Sequence, residues 1–188
     1  MMQTGLVSLD EFVSAVLGFA DYGFATEPMM RLLTEVRIRD ADVARYVNVD
    51  PAGEYTRTLI HRTPEVEVLA LHWPTASSTP IHDHAGQRCW MVAHSGVFVV
   101  EDYRQIGGTR APGHAVVERV ATTPGVTVGM PDFRFERERD IHRVRVSPQC
   151  DGAISIHVYV RPYTSCLIFD EAAREAREMR VDTFNAPF

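Results

Sequence analysis

Apolar residues recur at helical spacing through roughly the first fifty positions and change to short, β-rich runs from Tyr55 onward. Leu9, Phe12, Val13, Val16, Leu17 and Ala20 mark one side of a first helix, predicted over 9–20, and Ser8 with Glu11 forms a capping box at its start. A second helix opens with Thr26 as its cap, tolerates Pro28 in its first turn, and buries Met29, Met30, Leu32, Leu33 and Val36. A short third helix follows Asp40 and ends near Val47, and Pro51 and Gly53 close the region.

Eight β-rich runs follow, at 66–73, 89–94, 97–103, 115–121, 126–130, 133–137, 141–146 and 153–160, separated by glycine, proline and polar turns. So many strands in one uninterrupted series predict a closed barrel or jelly roll. Residues 170–180 read as a solvated C-terminal helix, with Asp170 as cap, glutamates early and arginines late. Neither a repeat nor a linker interrupts the pattern. The expected architecture is mainly β, one domain over 1–188, with a helical part at 1–50 and the barrel at 55–170.

Composition narrows the function. With 25 acidic against 19 basic residues, a net charge of -6 and no basic cluster, the chain is not a nucleic-acid binder. Every basic residue is arginine. No run approaches the roughly 18 apolar residues of a membrane helix, and the first residues lack a secretory pattern, so a cytoplasmic protein is expected. Cys89, Cys150 and Cys166 are odd in number and show no Cys-x-x-Cys spacing, which fits a reducing compartment. The remaining oddity is histidine, with eight in 188 residues.

Pro80-Ile81-His82-Asp83-His84 is the sharpest local feature. In an extended segment His82 and His84 point to one face and Asp83 to the other, so one strand offers two imidazole ligands. A polar strand end beside a turn accounts for the same residues without a metal. About 60 residues later His142 follows Asp140 and Ile141 at the start of another strand, which returns the chain to the same barrel end. In Ser155-Ile156-His157-Val158-Tyr159 the polar and apolar residues alternate, so Ser155, His157 and Tyr159 share a face. Periodicity does not decide whether that face or the apolar one turns inward. His61, His72, His94 and His114 have no matching partners.

A cupin metal site commonly carries a glutamate four or five residues after its His-x-His, but Arg88 and Cys89 stand there. His82-Asp83-His84 with Cys89, Gly96, the later His142-Arg143-Val144 and Ser155-x-His157-x-Tyr159 resemble instead the thiol dioxygenase branch of the cupins, above all the cysteine dioxygenases. The likeness extends from Tyr55-Thr56-Arg57 and Trp73 to Cys166 and Phe169-Asp170.

The resemblance implies a cupin fold and Fe(II) held by His82, His84 and His142. Arg57 would grip a substrate carboxylate with Tyr55 beside it, and Tyr159 would stand at the iron with His157 and Ser155 behind it. Cys89 would form a thioether to Tyr159, as in the animal members. It also implies a small thiol and O2 as partners, L-cysteine as substrate, cysteine sulfinic acid as product, and a monomer. Another thiol acid, 3-mercaptopropionate or mercaptosuccinate, stays open, as does a metal-binding cupin sensor without turnover. Arginine at 57 favours cysteine, because glutamine usually takes that place in the 3-mercaptopropionate enzymes. After the tyrosine the animal enzymes have a Ser-Pro-Pro run with a cis peptide bond, where this chain reads Val160-Arg161-Pro162, so Arg161 is expected as a second positive charge near the pocket.

Overall fold

The computed structural model describes residues 5–134, 140–181 and 184–185. Its elements run β1 (Gly5–Val7), α1 (Leu9–Leu17), α2 (Thr26–Glu35), β2 (Val36–Ile38), α3 (Asp40–Ala44), β3 (Thr56–Arg62), β4 (Val66–Trp73), β5 (Ile81–His82), β6 (Arg88–Ser95) and β7 (Phe98–Gly108). They continue with β8 (Gly113–Val126), β9 (Asp132–Arg134), β10 (Ile141–Val146), β11 (Ala153–Val160), β12 (Ser165–Asp170), β13 (Glu175–Arg180) and β14 (Phe184–Asn185).

Two arrangements of strands carry the architecture. One sheet has the order β14-β3-β4-β11-β6-β9, and β10-β5-β12-β13-β8-β7 closes on itself as a barrel. This is the expected mainly β cupin, with the helices packed on its outside. β1 and β2 form a separate small parallel pair.

The central strands of the open sheet are buried on both faces. Val66, Val68 and Ala70 of β4, Trp90 and Val92 of β6, and Ile156, Val158 and Val160 of β11 pack against Leu9, Phe12 and Val16 of α1, Met29, Leu32 and Leu33 of α2, and Val43 of α3. The alternate residues Leu69, Leu71, Trp73, Cys89, Met91, Ala93 and Tyr159 face inward, against Phe98 and Val100 of β7, Val126 of β8, and Val144 and Val146 of β10. Each large apolar side chain so buried contributes roughly 1.5–3 kcal/mol, so both layers matter. For β11 the sequence left open which face turns in; here the helices cover the apolar face and the polar face looks into the barrel.

Several expectations change. The first helix keeps its capping box, with Ser8 Oγ accepting from the Glu11 amide at 3.2 Å and Glu11 accepting from the Ser8 amide at 2.7 Å, but it stops at Leu17 before a 3-10 turn, Ala20–Tyr22. Thr26 is the first helical residue, not the cap, which is Ala25. The helix expected over 170–180 is instead a turn followed by β13, which pairs with β12 along six positions from Ser165↔Arg180 to Asp170↔Glu175. Helix-favouring glutamates and arginines are overridden there because β13 also pairs with β8 and completes the ring. Residues 127–130 form a turn, so the run at 126–130 is not a strand of its own. The strand expected over 133–137 is seen as Asp132–Arg134, with 135–139 outside the described residues. The barrel strands also reach beyond 170, the limit set by the hydrophobic pattern.

Candidate metal centre and active-site cavity

β5 is only two residues long and lies between β10 and β12, where His82 pairs with both His142 and Ile168. That register brings two histidines from distant parts of the chain side by side. His84 follows two residues later in a turn made by Ala85 and Gly86, both with positive φ. Asp83 secures the turn: its Oδ1 accepts from the amides of Ala85 at 3.2 Å and Leu167 at 2.9 Å. The three rings converge, with centroids 5.2 Å apart for His82 and His84, 4.7 Å for His82 and His142, and 4.9 Å for His84 and His142. One nitrogen from each lies within 4.8 Å of the other two.

Hydrogen bonding behind the rings sets their tautomers. His82 Nδ1 lies 3.1 Å from the Pro80 carbonyl and His84 Nδ1 lies 3.0 Å from Asp140 Oδ1. Both partners only accept, so each Nδ1 carries hydrogen, and Nε2 is the nitrogen with the lone pair whenever the ring is neutral. His142 Nδ1 is 3.9 Å from Asp132 Oδ2 and has no hydrogen-bond partner among the described residues.

Burial, reinforced by the neighbouring His84, pushes His82 down to about 3, and burial with the other two imidazoles holds His142 well below its ordinary value. Burial also depresses His84, but Cys89 and the Asp140 carboxylate outweigh it and lift His84 to about 9. Any positive charge in the cluster therefore resides first on His84. Asp140 itself is pushed up by burial and drawn down further by His84 and Arg110, so it stays below the usual carboxylate range. Three converging imidazoles, His84 and His142 buried and His82 half-buried, are a donor set that a divalent transition metal satisfies once it displaces the second proton of His84.

The metal-ligand candidates line a cavity of about 520 Å³ together with Tyr55, Arg57, Trp73, His157, Tyr159 and Tyr163. Arg57 points inward from β3, its Nη1 donating to Tyr159 Oη at 3.5 Å and its guanidinium carbon 5.3 Å from the Tyr159 ring centroid. Its Nε is buried without a partner among the described residues. Tyr55 stacks on Trp73, with centroids 4.9 Å apart.

A chain of hydrogen bonds runs along the inner face of β11. Trp73 Nε1 donates to Ser155 Oγ at 2.8 Å, Ser155 Oγ lies 2.9 Å from His157 Nε2, and His157 Nδ1 lies 3.2 Å from Tyr159 Oη. Burial, with Arg57 adding to it, keeps His157 well below its ordinary value and therefore neutral. A neutral imidazole between two hydroxyls donates to one and accepts from the other, so it fixes where the Tyr159 proton points. Burial and the adjacent Cys89 push the Tyr159 phenol above its usual range against the pull of Arg57. Cys89 stands directly opposite Tyr159 in the β6–β11 register.

All nine residues singled out from the sequence thus meet at one cavity or in the layer supporting it. Three others were not anticipated. Tyr163 lies edge-on to Tyr159, with centroids 5.5 Å apart, and 6.3 Å from His84. It sits in a loop, where no periodicity marks it. Asp140 and Arg110 support His84, and the only sequence trace of them is the alternation Asp140-Ile141-His142. Arg161 is corrected: it is exposed, has φ of 62°, and does not line the cavity. Cys150 is half-buried against the inter-sheet core. The other four histidines lie off the cavity, His94 against Asp40 at 3.0 Å.

A family model described as cysteine dioxygenase type I matches residues 19–172. The chain belongs to the cysteine dioxygenase type I family. The match leaves α1 and β13 outside, although β13 completes the ring of strands. Cysteine dioxygenase type 1 of Danio rerio is 23% identical over 151 residues, covering 77% of this chain and 70% of the fish protein. Among solved structures, a Thermus thermophilus protein covers 64% of this chain and 94% of its own at 15% identity, with a TM-score of 0.44. A Klebsiella pneumoniae protein with a double-stranded β-helix domain covers 67% and 87% at 16% identity, with a TM-score of 0.45. Family membership makes the chain an enzyme of the dioxygenase type. No helix among the described residues is long and apolar enough to cross a membrane.

Proposed function

We propose that this protein is a non-haem iron dioxygenase that inserts both atoms of O2 into the sulfur of L-cysteine to give cysteine sulfinic acid. The observation that carries the reading is the placement of Arg57 in the same cavity as His82, His84 and His142, so that one small molecule can reach a carboxylate clamp and a metal together. The three histidines would hold Fe(II), which when bound supplies sites for a thiolate and O2 and the electrons that activate oxygen.

The chain's own residues bind and orient the substrate. Arg57 turns its guanidinium from Tyr159 to the substrate carboxylate and donates to it in a charge-assisted pair, with the Tyr55 hydroxyl close by. Tyr159, kept protonated, donates a hydrogen bond into the space between Arg57 and the imidazoles. His157, Ser155 and Trp73 keep that phenol in place without taking up charge. The apolar wall of Leu71, Val144 and Trp73 shields the sulfur end from bulk water. Cys89, opposite Tyr159, joins the ring as a thioether and restricts it further. The reading includes one catalytic domain over the whole chain, working as a cytoplasmic monomer, where a reducing environment keeps Cys150 and Cys166 as thiols.

A second substrate is favoured by one observation. Arg180 lines the mouth of the cavity, so a thiol with two carboxylates, such as mercaptosuccinate, has a second cation to meet. This role falls to Arg180 and not to Arg161. Oxygen uptake by the Fe(II)-loaded protein across cysteine, 3-mercaptopropionate and mercaptosuccinate distinguishes these readings. The fastest uptake per enzyme is expected with L-cysteine. Preference for either alternative reverses the substrate order, and thiol binding without uptake leaves a sensor cupin.

A further inference from the structure

Behind the three imidazoles, on the side away from the cavity, two buried carboxylates meet a partly exposed arginine, a cluster of charge that no step of the reaction uses. Arg110 stands in the short connection between β7 and β8. Its Nη1 reaches Oδ2 of Asp140 at 3.1 Å and Oδ2 of Asp83 at 3.5 Å. Asp83 is the residue between His82 and His84, and Asp140 is two residues before His142. One guanidinium therefore ties together the two segments that carry all three histidines. Both carboxylates are almost fully buried, at 4% exposure for Asp83 and 2% for Asp140, and a buried charge without a partner is strongly destabilising.

The two carboxylates divide the work. Asp83 uses its other oxygen on the amides of Ala85 and Leu167 and so shapes the turn that presents His84. Asp140 uses its other oxygen on His84 itself, accepting from Nδ1 at 3.0 Å and from the backbone amide at 3.3 Å. An imidazole that donates to a carboxylate is a better electron donor through its opposite nitrogen, and its ring cannot rotate freely.

We propose that Asp140 and Arg110 are positioning residues of the metal centre. Asp140 fixes the tautomer and direction of His84 and places a full negative charge one residue behind a ligand set that has no carboxylate of its own. Arg110 holds Asp140 in that position. The carboxylate expected among the ligands of a cupin, and absent after His82-x-His84 in this chain, is thereby supplied from the outer layer. This rests on the reading of His82, His84 and His142 as metal ligands, but not on the identity of the thiol.

The test is anaerobic titration of Co(II) into the full chain against a competing chelator, together with the reduction potential of the iron-loaded protein. Asp140→Asn keeps the shape and an oxygen for His84 but removes the charge. It is expected to weaken Co(II) binding by ~10- to 100-fold and to move the iron potential to more positive values. Arg110→Ala, at a partly exposed position, tests the same idea if Asp140→Asn folds poorly. It is expected to shift both readouts in the same direction by less, with Arg110→Lys recovering part of the loss. A merely structural role would lower the melting point of the metal-free protein and leave the potential unmoved.

Asp140→Asn and Arg110→Ala with wild-type Co(II) affinity and potential would overturn the proposal while the dioxygenase reading stood. A wild type that binds Co(II) in an Asp140-dependent way but oxidises no thiol would overturn that reading and leave this one in place. A wild type that binds neither metal overturns both.

Discussion

Cys89 and Tyr159 are direct partners across β6 and β11, both facing the barrel interior and both nearly excluded from solvent. Adjacent strands hold such a pair at a separation a single bond can bridge after small rotations of the two side chains. Joining Cys89 Sγ to the ring carbon beside the Tyr159 hydroxyl removes one hydrogen from each, and O2 is the oxidant that takes them. The iron-loaded protein, after turnover in air, is expected to contain a species lighter by two hydrogens, with the modification on the peptides carrying Cys89 and Tyr159. Cys89→Ala should lack it. A wild-type intact mass that never changes would rule the crosslink out.

Among the described residues Arg57 is the arginine of the cavity that lies beside Tyr159, so its removal should be felt mainly in substrate binding. Hydrogen bonds to charged groups contribute about 1.5–3 kcal/mol, so Arg57→Gln is expected to lower kcat/KM for cysteine by ~10- to 100-fold, chiefly through KM. The loss with 3-mercaptopropionate should be smaller. Steady-state oxygen uptake on both thiols reads this directly, and an unchanged KM for cysteine would remove Arg57 from the substrate site.

Ile156 belongs to the other face of β11, packed beneath the helices and 1% exposed. Ile156→Ala leaves Ser155, His157 and Tyr159 in register but opens a cavity in the outer core. A stability loss of about 2–5 kcal/mol is expected by urea denaturation. A loss below about 1 kcal/mol would mean that the helices do not depend on this sheet face.

Glu101 of β7 connects three strands of the ring, accepting from Arg143 of β10 at 2.6 Å and from Arg119 of β8 at 2.9 Å. Burial pushes its carboxyl up, but the Arg143 and Arg119 pairs outweigh this and leave it lowered. Its folded value therefore lies under the unfolded one of about 4.3. The stabilisation is complete above the unfolded value and disappears as pH falls through the folded one. Glu101→Gln should flatten the acid side of the stability-against-pH curve and leave the slope between about pH 6 and 8, where Glu101 is ionised in both states, unchanged. An identical acid limb in wild type and variant would contradict the assignment.

Much of this site is legible in the sequence because it obeys strand periodicity. Ser155, His157 and Tyr159 alternate with Ile156, Val158 and Val160, and His82 and His84 are two apart, so a shared face follows from the pleat alone. The side chosen by β11 is not legible, since an apolar face under helices and an apolar face in a barrel have the same pattern. β13 departs from its pattern for a related reason: its glutamates and arginines suit a helix, and only pairing with β12 and β8 decides otherwise. β5 is too short for any periodicity, yet its two residues set the register between His82 and His142. Arg110 is beyond reach, because a lone arginine in a hairpin connection gives no sign of the distant carboxylates it binds.

The most direct test of the central claim is to supply 18O2 to the Fe(II)-loaded protein with L-cysteine and to weigh the product. Cysteine sulfinic acid carrying both labelled atoms is the predicted result. A product with one labelled atom, or oxygen consumption that yields only cystine, would contradict it.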